Sequence, residues 1–221
     1  MLKIRCSSIG KIMTNSRSKT ETLSKTCRTY LQELAVEEMY GKRKEFSSKY
    51  TDKGNQVEDD GIKLCESVLD LGFMYKNEEH FTNDFLTGTP DVNTDIILDV
   101  KSSWDATTFP FFAEEIPNRD YFFQLQGYMA LTKKRKSLLC YCLINTPELM
   151  VEDEVRRAHW KENLIDESEE LRNHVEAQHN FDNIPAERRI KTFEVRYDKD
   201  VVKAIYDRVK ECREYYNTLI L

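Results

Sequence analysis

The chain has 221 residues, of which 40% are hydrophobic and 33% charged. This suits one globular domain, or a domain with an insertion, and excludes a chain that is disordered throughout. A chain of this size buries about 70% of the surface its unfolded form exposes, so a core forms without disulfides or a structural metal. No run approaches the roughly 18 consecutive apolar residues of a membrane span, and the start Met1-Leu2-Lys3-Ile4-Arg5 lacks the apolar core of a secretion signal, so the expected location is the cytoplasm, away from membranes.

The net charge of −6 hides a segregation: residues 1–50 hold 11 Lys and Arg against 5 Asp and Glu, whereas residues 147–187 hold 4 against 12. Local potential, not the total, steers a polyanion, so a basic surface is compatible with this composition. Cys6, Cys27, Cys65, Cys140, Cys142 and Cys212 contain no C-x-x-C pair and read as buried free thiols. His174 and His179, five apart, miss the spacing that joins helical ligands and read as surface positions.

In chain order, residues 22–40 read as an amphipathic helix stopped by Gly41, and residues 54–70 as a second helix stopped before Gly72. Strand-like runs follow at 73–76, 79–87 and 95–101. Residues 119–131 are a helix with almost no solvent face. A buried strand at 137–144 ends in Asn145-Thr146-Pro147, and an acidic helical stretch occupies 148–180. After Pro185 come an alternating strand with Phe193, Val195 and Tyr197, and a last amphipathic helix. The order implies an α/β fold: a central mixed sheet flanked by helices, in one domain of residues 1–221 with an inserted acidic segment at 147–187. That segment is expected to pack on the outer face or to contact a protein, not to lie against nucleic acid.

Three segments stand out. In the second helix Glu58 falls inside the apolar arc, where a carboxylate needs a cation, a hydrogen-bond partner or a metal; a structural salt bridge is the plain alternative. In the strand Asp95–Lys101, alternation puts Asp99 and Lys101 on one face and Val100 on the other, and a hairpin between 86–91 and 95–101 brings Asp91 beside them. Carboxylates plus a backbone carbonyl form an oxygen site for Mg²⁺ or Mn²⁺, and an adjacent lysine suits phosphodiester hydrolysis, either stabilising charge or helping to deprotonate water. In the buried helix Gln124 and Tyr128, at i and i+4, share a face, and a buried amide needs partners. Lys133-Lys-Arg-Lys136 reads as a solvated turn or a contact to backbone phosphates, and Trp104 as a core aromatic or a base-stacking one.

Taken together, Gly54-Asn-Gln-Val-Glu58, Thr89-Pro-Asp91, Leu98-Asp-Val-Lys101 and Gln124-x-x-x-Tyr128 resemble the PD-(D/E)XK nucleases, specifically the phage lambda exonuclease-like (YqaJ-type viral recombinase) branch. The resemblance implies a restriction-endonuclease-like core. It makes Asp91, Asp99 and the Val100 carbonyl metal ligands, with Glu58 acting directly or through water, two Mg²⁺ or Mn²⁺ ions per site, and Lys101 the catalytic lysine. Gln124 would orient that lysine or the attacking water, and Tyr128 would support its helix. The second acid is Asp99 where this branch commonly has Glu. The opening segment resembles the family's 5′-phosphate grip, with Arg5 and Ser7 as contacts and Thr89 at the position of a small hydroxyl; the family's upstream basic residue has no clear counterpart, so Lys3 or Arg5 would replace it.

The implied activity is 5′-to-3′ digestion of linear double-stranded DNA from its ends. It would leave a 3′-ended strand for a single-strand annealing recombinase in phage DNA recombination, from a homotrimeric ring. An endonuclease or single-strand nuclease on the same fold is the nearest alternative, and a non-catalytic DNA-binding or interaction protein retaining that fold is the other.

Overall fold

The computed structural model describes residues 1–43, 47–164 and 166–220. The chain enters through a short strand, β1 (Ile4–Arg5), and a short helix, α1 (Ile9–Ile12), whose two end isoleucines are fully buried. The long helix α2 (Lys25–Tyr40) is capped by Ser24, which accepts a hydrogen bond from the Cys27 N–H. It ends at Gly41, whose φ of +64° lies in the left-handed region that glycine enters without strain.

The helix expected over 54–70 is two helices. Helix α3 (Lys49–Gln56) opens on a reciprocal Ser48/Thr51 capping box, the chain turns at Val57, and α4 (Glu58–Val68) starts afresh. Gly54 and Asn55 are weak helix formers near the end of α3. The break makes Glu58 the first residue of α4, where its charge complements the helix dipole.

The strands also divide differently from the expectation of one sheet. Strands β2 (Phe81–Thr82) and β3 (Leu86–Gly88) join β1 in a small sheet of order β1-β3-β2, while residues 73–76 are irregular. The central mixed sheet has the order β4 (Val92–Asn93), β5 (Ile97–Ser102), β6 (Lys136–Cys142), β7 (Ile190–Arg196). Strands β5 and β6 are parallel and the outer pairs antiparallel. A crossover helix, α5 (Arg119–Thr132), links β5 to β6, and α8 (Lys199–Ile220) follows β7.

Alternation sends Ile97, Leu139, Phe193 and Val195 to one face, against α1, α2, α5 and α8. It sends Leu98, Val100, Cys140 and Cys142 to the other, against α4. A sheet covered on both faces accounts for the unbroken apolar run at 137–144. Helix α4 can approach β5 because residue 61 is glycine: a Cβ there would stand 2.7 Å from Val100 Cγ1.

The acidic stretch forms α6 (Glu148–Lys161) and α7 (Glu169–His179). It is fastened to the body by the Lys49–Glu154 ion pair at 3.1 Å, the 3.0 Å Thr146 Oγ1 to His179 Nδ1 hydrogen bond, and edge packing of His179 on Trp104 at 5.0 Å. His179 is therefore buried, contrary to its expected surface position, because the end of α7 closes over the loop leaving β5; His174 is exposed. All six cysteines are buried and unbridged. Among the described residues no helix is long and apolar enough to cross a membrane.

Candidate active site

The site is built on the hairpin of β4 and β5. Its register pairs Val92 with Leu98 and Asn93 with Ile97, which carries Asp91 to a position opposite Asp99. Asp91 Oδ2 accepts the Val100 N–H at 2.7 Å. Asp99 is fully buried, and its Oδ1 accepts from Gln124 Nε2 at 2.8 Å. Its Oδ2 faces Lys101 Nζ at 2.5 Å in an ion pair. Lys101 Nζ also lies 3.3 Å from the Val100 carbonyl and 5.1 Å from the centre of the Tyr121 ring. Gln124 Nε2 reaches Tyr128 Oη at 3.2 Å.

Strand alternation and the helical i, i+4 spacing thus bring Asp91, Asp99, Lys101, Gln124 and Tyr128 together. The immediate partner of Gln124 is Asp99, not the lysine. Glu58 stands at the rim, one quarter exposed, with Oε1 2.9 Å from Lys76 Nζ, so a salt bridge answers its anomalous position on the helix.

Burial, and then the charge of Asp99, push Asp91 up to about 7; Glu58 adds to the rise, while Lys101 and the Val100 N–H work against it. Burial pulls Lys101 down, but the carboxylates of Asp99 and Asp91 more than offset this and hold it above its ordinary value. Lys101 is therefore an ammonium at neutral pH.

Among the described residues no three Asp, Glu, His or Cys side chains converge tightly enough to cage a cation. The groups that do approach one another are all oxygens: Asp91, Asp99 and the Val100 carbonyl, with Glu58 at the rim. Such donors suit Mg²⁺ or Mn²⁺ and not a softer metal. Asp91 is pushed up by burial first and then by the charges of Asp99 and Glu58, and one more positive charge beside these carboxylates relieves that repulsion. On these grounds the residues fit a hard divalent cation.

Arg5 pairs across the small sheet with Thr87, and its guanidinium meets Glu37 at 3.2 Å. Thr89 Oγ1 lies 3.0 Å from His80 Nδ1, and His80 Nε2 lies 2.6 Å from Thr87 Oγ1. Arg5 and Thr87 are cross-strand partners and share a face of this sheet, and His80 joins Thr87 to Thr89, which lies just past β3 and two residues before Asp91. Ser7 is exposed in the turn between β1 and α1.

Trp104 is buried, so it does not offer a ring to a base. The Lys133–Lys136 turn is braced: Lys134 donates to the Thr94 carbonyl and Lys136 pairs with Glu194 at 2.9 Å. Sequence reasoning passed over Lys53, which is fully buried and donates to the Ser103 and Trp104 carbonyls at 2.8 and 2.9 Å. It also passed over Lys76 and Tyr121. Of these only Tyr121 gave a signal, since it sits three residues before Gln124 on the same helix face.

A crystal structure of a phage-related exonuclease from Haemophilus somnus 129PT superposes with a TM-score of 0.80 at 31% identity, over 99% of this chain and 95% of that one. The alkaline exonuclease LHK-Exo from Laribacter hongkongensis superposes with a TM-score of 0.65 at 14% identity, over 99% of this chain and 89% of its own. Its complex with dAMP gives the same TM-score and coverage at 15% identity. No family model and no curated protein matches the chain. The flanked mixed sheet and its likeness to these enzymes define a nuclease with the restriction-endonuclease-like fold. Within that class, the chain belongs to the phage lambda exonuclease-like family of exonucleases.

Proposed function

We propose that the protein is a metal-dependent 5′-to-3′ exonuclease that digests linear double-stranded DNA from its ends and leaves 3′ single-stranded overhangs for recombination. The observation that carries this reading is the meeting of half-buried Asp91 and Lys101 with buried Asp99 and Gln124, in a chain that matches a phage-related exonuclease along nearly its whole length.

Asp91, Asp99 and the Val100 carbonyl would hold Mg²⁺ or Mn²⁺, two ions per site, with Glu58 adding charge from the rim. The bound metal supplies Lewis acidity, which makes water a stronger nucleophile and offsets charge gathering on the phosphoryl oxygens. Lys101, kept protonated by Asp99 and Asp91, offers its ammonium to that same charge; in this state it stabilises and does not accept a proton. Gln124 fixes the plane of the Asp99 carboxylate by donating to Oδ1, and Tyr128 backs Gln124, so these two position the acid. Arg5, Ser7 and Thr89 would meet the terminal 5′-phosphate, with Arg5 turning from Glu37 to the ligand. The homotrimeric ring and the annealing recombinase partner rest on the family resemblance alone.

The test incubates the protein and its Lys101→Ala variant with linear duplex DNA bearing a 5′-phosphate or a 5′-hydroxyl, in Mg²⁺, Mn²⁺ or EDTA, beside closed circles. Loss of linear DNA that requires metal, Lys101 and an end, and that is faster with the 5′-phosphate, is the expected result. Nicking of closed circles would replace the exonuclease with an endonuclease. DNA binding without any cleavage would leave a non-catalytic binding protein.

A further inference from the structure

Exposed aromatic side chains stand on two separate segments that connect to elements of the carboxylate site. Phe73 and Tyr75 are 76% and 56% exposed, with ring centres 6.1 Å apart. Their segment is tied to the site, because Lys76 Nζ stands 2.9 Å from Glu58 Oε1 and the Asn77 N–H donates to the Asp91 carbonyl at 2.8 Å. The second segment leaves β5 just after Lys101 and enters α5 just before Tyr121, whose ring overlies Lys101 Nζ. Here Phe111 and Phe112 are 44% and 91% exposed and meet edge to face at 5.1 Å.

This second loop is a built structure. Lys53 anchors its first carbonyls, and Asp105 Oδ1 accepts from Thr107 Oγ1 and the Thr108 N–H at 2.7 and 2.9 Å. The Ala113 N–H closes a turn on the Pro110 carbonyl at 3.1 Å, and Ala113 and Ile116 pack on the main core. Phe111 and Phe112 are therefore held out in water by a scaffold fixed at both ends by hydrogen bonds and core packing. Rings presented in this way call for a flat apolar partner. Between Phe109 and Ala113 the chain reads Pro-Phe-Phe, with no side chain that hydrogen-bonds, so the surface reads faces and not edges. Bases have such faces whatever their sequence, and stacking on aromatics is how single strands are held without sequence preference.

We propose that Phe73 with Tyr75, and Phe111 with Phe112, are base-stacking surfaces that grip nucleotides on either side of the scissile phosphate. This deepens the nuclease reading and rests on it. The test uses the full chain and a short duplex carrying 2-aminopurine near one 5′ end, titrated in Ca²⁺ in place of Mg²⁺ and followed by 2-aminopurine emission.

The wild type and Phe112→Trp should quench the emission on binding. The double variants Phe111→Ala/Phe112→Ala and Phe73→Ala/Tyr75→Ala should bind about tenfold or more weakly, with a smaller quench. Both double variants titrating like the wild type would overturn the proposal. So would unchanged DNA binding with an altered oligomeric state, which would make these rings an interface between copies of the chain. Parallel digestion in Mg²⁺ by the wild type and Lys101→Ala keeps the two ideas apart. Lys101-dependent cleavage with wild-type titrations refutes stacking alone, while absence of cleavage by the wild type refutes the nuclease reading.

Discussion

Replacing Asp91 with Asn should stabilise the metal-free protein at alkaline pH and abolish cleavage. Asp91 is raised from an ordinary 3.8 to about 7 by burial, Asp99 and Glu58. A carboxyl raised in the folded state holds its proton more tightly there than in the unfolded chain. Its contribution is complete below about pH 4, is lost as pH rises toward 7, and above 7 the folded state bears the full cost of the charge. A rise of this size corresponds to at most about 4 kcal/mol. That ceiling already includes the Val100 N–H bond at 2.7 Å; an amide at position 91 keeps an oxygen to accept it, but as a neutral and weaker acceptor, which lowers the gain. We therefore expect about 2 kcal/mol to be recovered, or roughly 4–8 °C in Tm for a chain of this length. The assay is thermal unfolding in EDTA from about pH 5 to about pH 9, where the gap between variant and wild type should widen with pH. Adding Mg²⁺ should then raise the Tm of the wild type but not of the variant. A variant that melts below the wild type at alkaline pH, or a gap indifferent to pH, would refute the reasoning.

Gln124→Ala removes the donor to Asp99 Oδ1; kcat should fall by about 10²-fold or more, with DNA affinity in Ca²⁺ retained, and a variant with wild-type kcat would sink the positioning role. Gly61→Ala drives a methyl to within 2.7 Å of Val100 Cγ1 and should cost about 1–3 kcal/mol in urea unfolding, with α4 pushed away from β5. Lys53→Met strands the Ser103 and Trp104 carbonyls and should cost about 1–3 kcal/mol at neutral pH. Because burial pulls Lys53 down to about 8 from 10.5, the wild type should gain stability as pH rises between these values and Lys53→Met should lack that gain; parallel pH profiles would count against it.

The convergence of the candidate site residues was legible because it rests on local geometry. Two-residue alternation fixed the shared face of Asp99 and Lys101, and the helical repeat fixed that of Gln124 and Tyr128. What remained hidden depends on distant partners. The small sheet pairs Ile4 with Leu86 and Phe81 with Gly88 through strands two or three residues long, too short to carry a periodic signal. The break at Val57 has no Pro or Gly at that residue, and it shows only in the restart of the hydrogen-bond ladder. Lys53 looks like any helical surface lysine until the loop after β5 and the end of the acidic hairpin, with Phe181 5.4 Å from its ammonium, close over it. The same closure took His179 out of water.

The ends of that acidic hairpin meet. The Thr146 N–H donates to the His179 carbonyl at 3.0 Å, and the Phe181 N–H donates to Asn145 Oδ1 at 2.7 Å. The acidic hairpin thus leaves and rejoins the body at one clasp, and among the described residues its middle is tied down further by the Lys49–Glu154 ion pair. Because closure entropy grows only slowly with loop length, the clasp is a natural graft point: a longer or shorter segment, or a foreign module, can hang there with little strain on the sheet. The boundary is sharp on one side, for a cut that takes His179 or Phe181 also strips the cover from Lys53, and with it the anchor of the loop that follows β5.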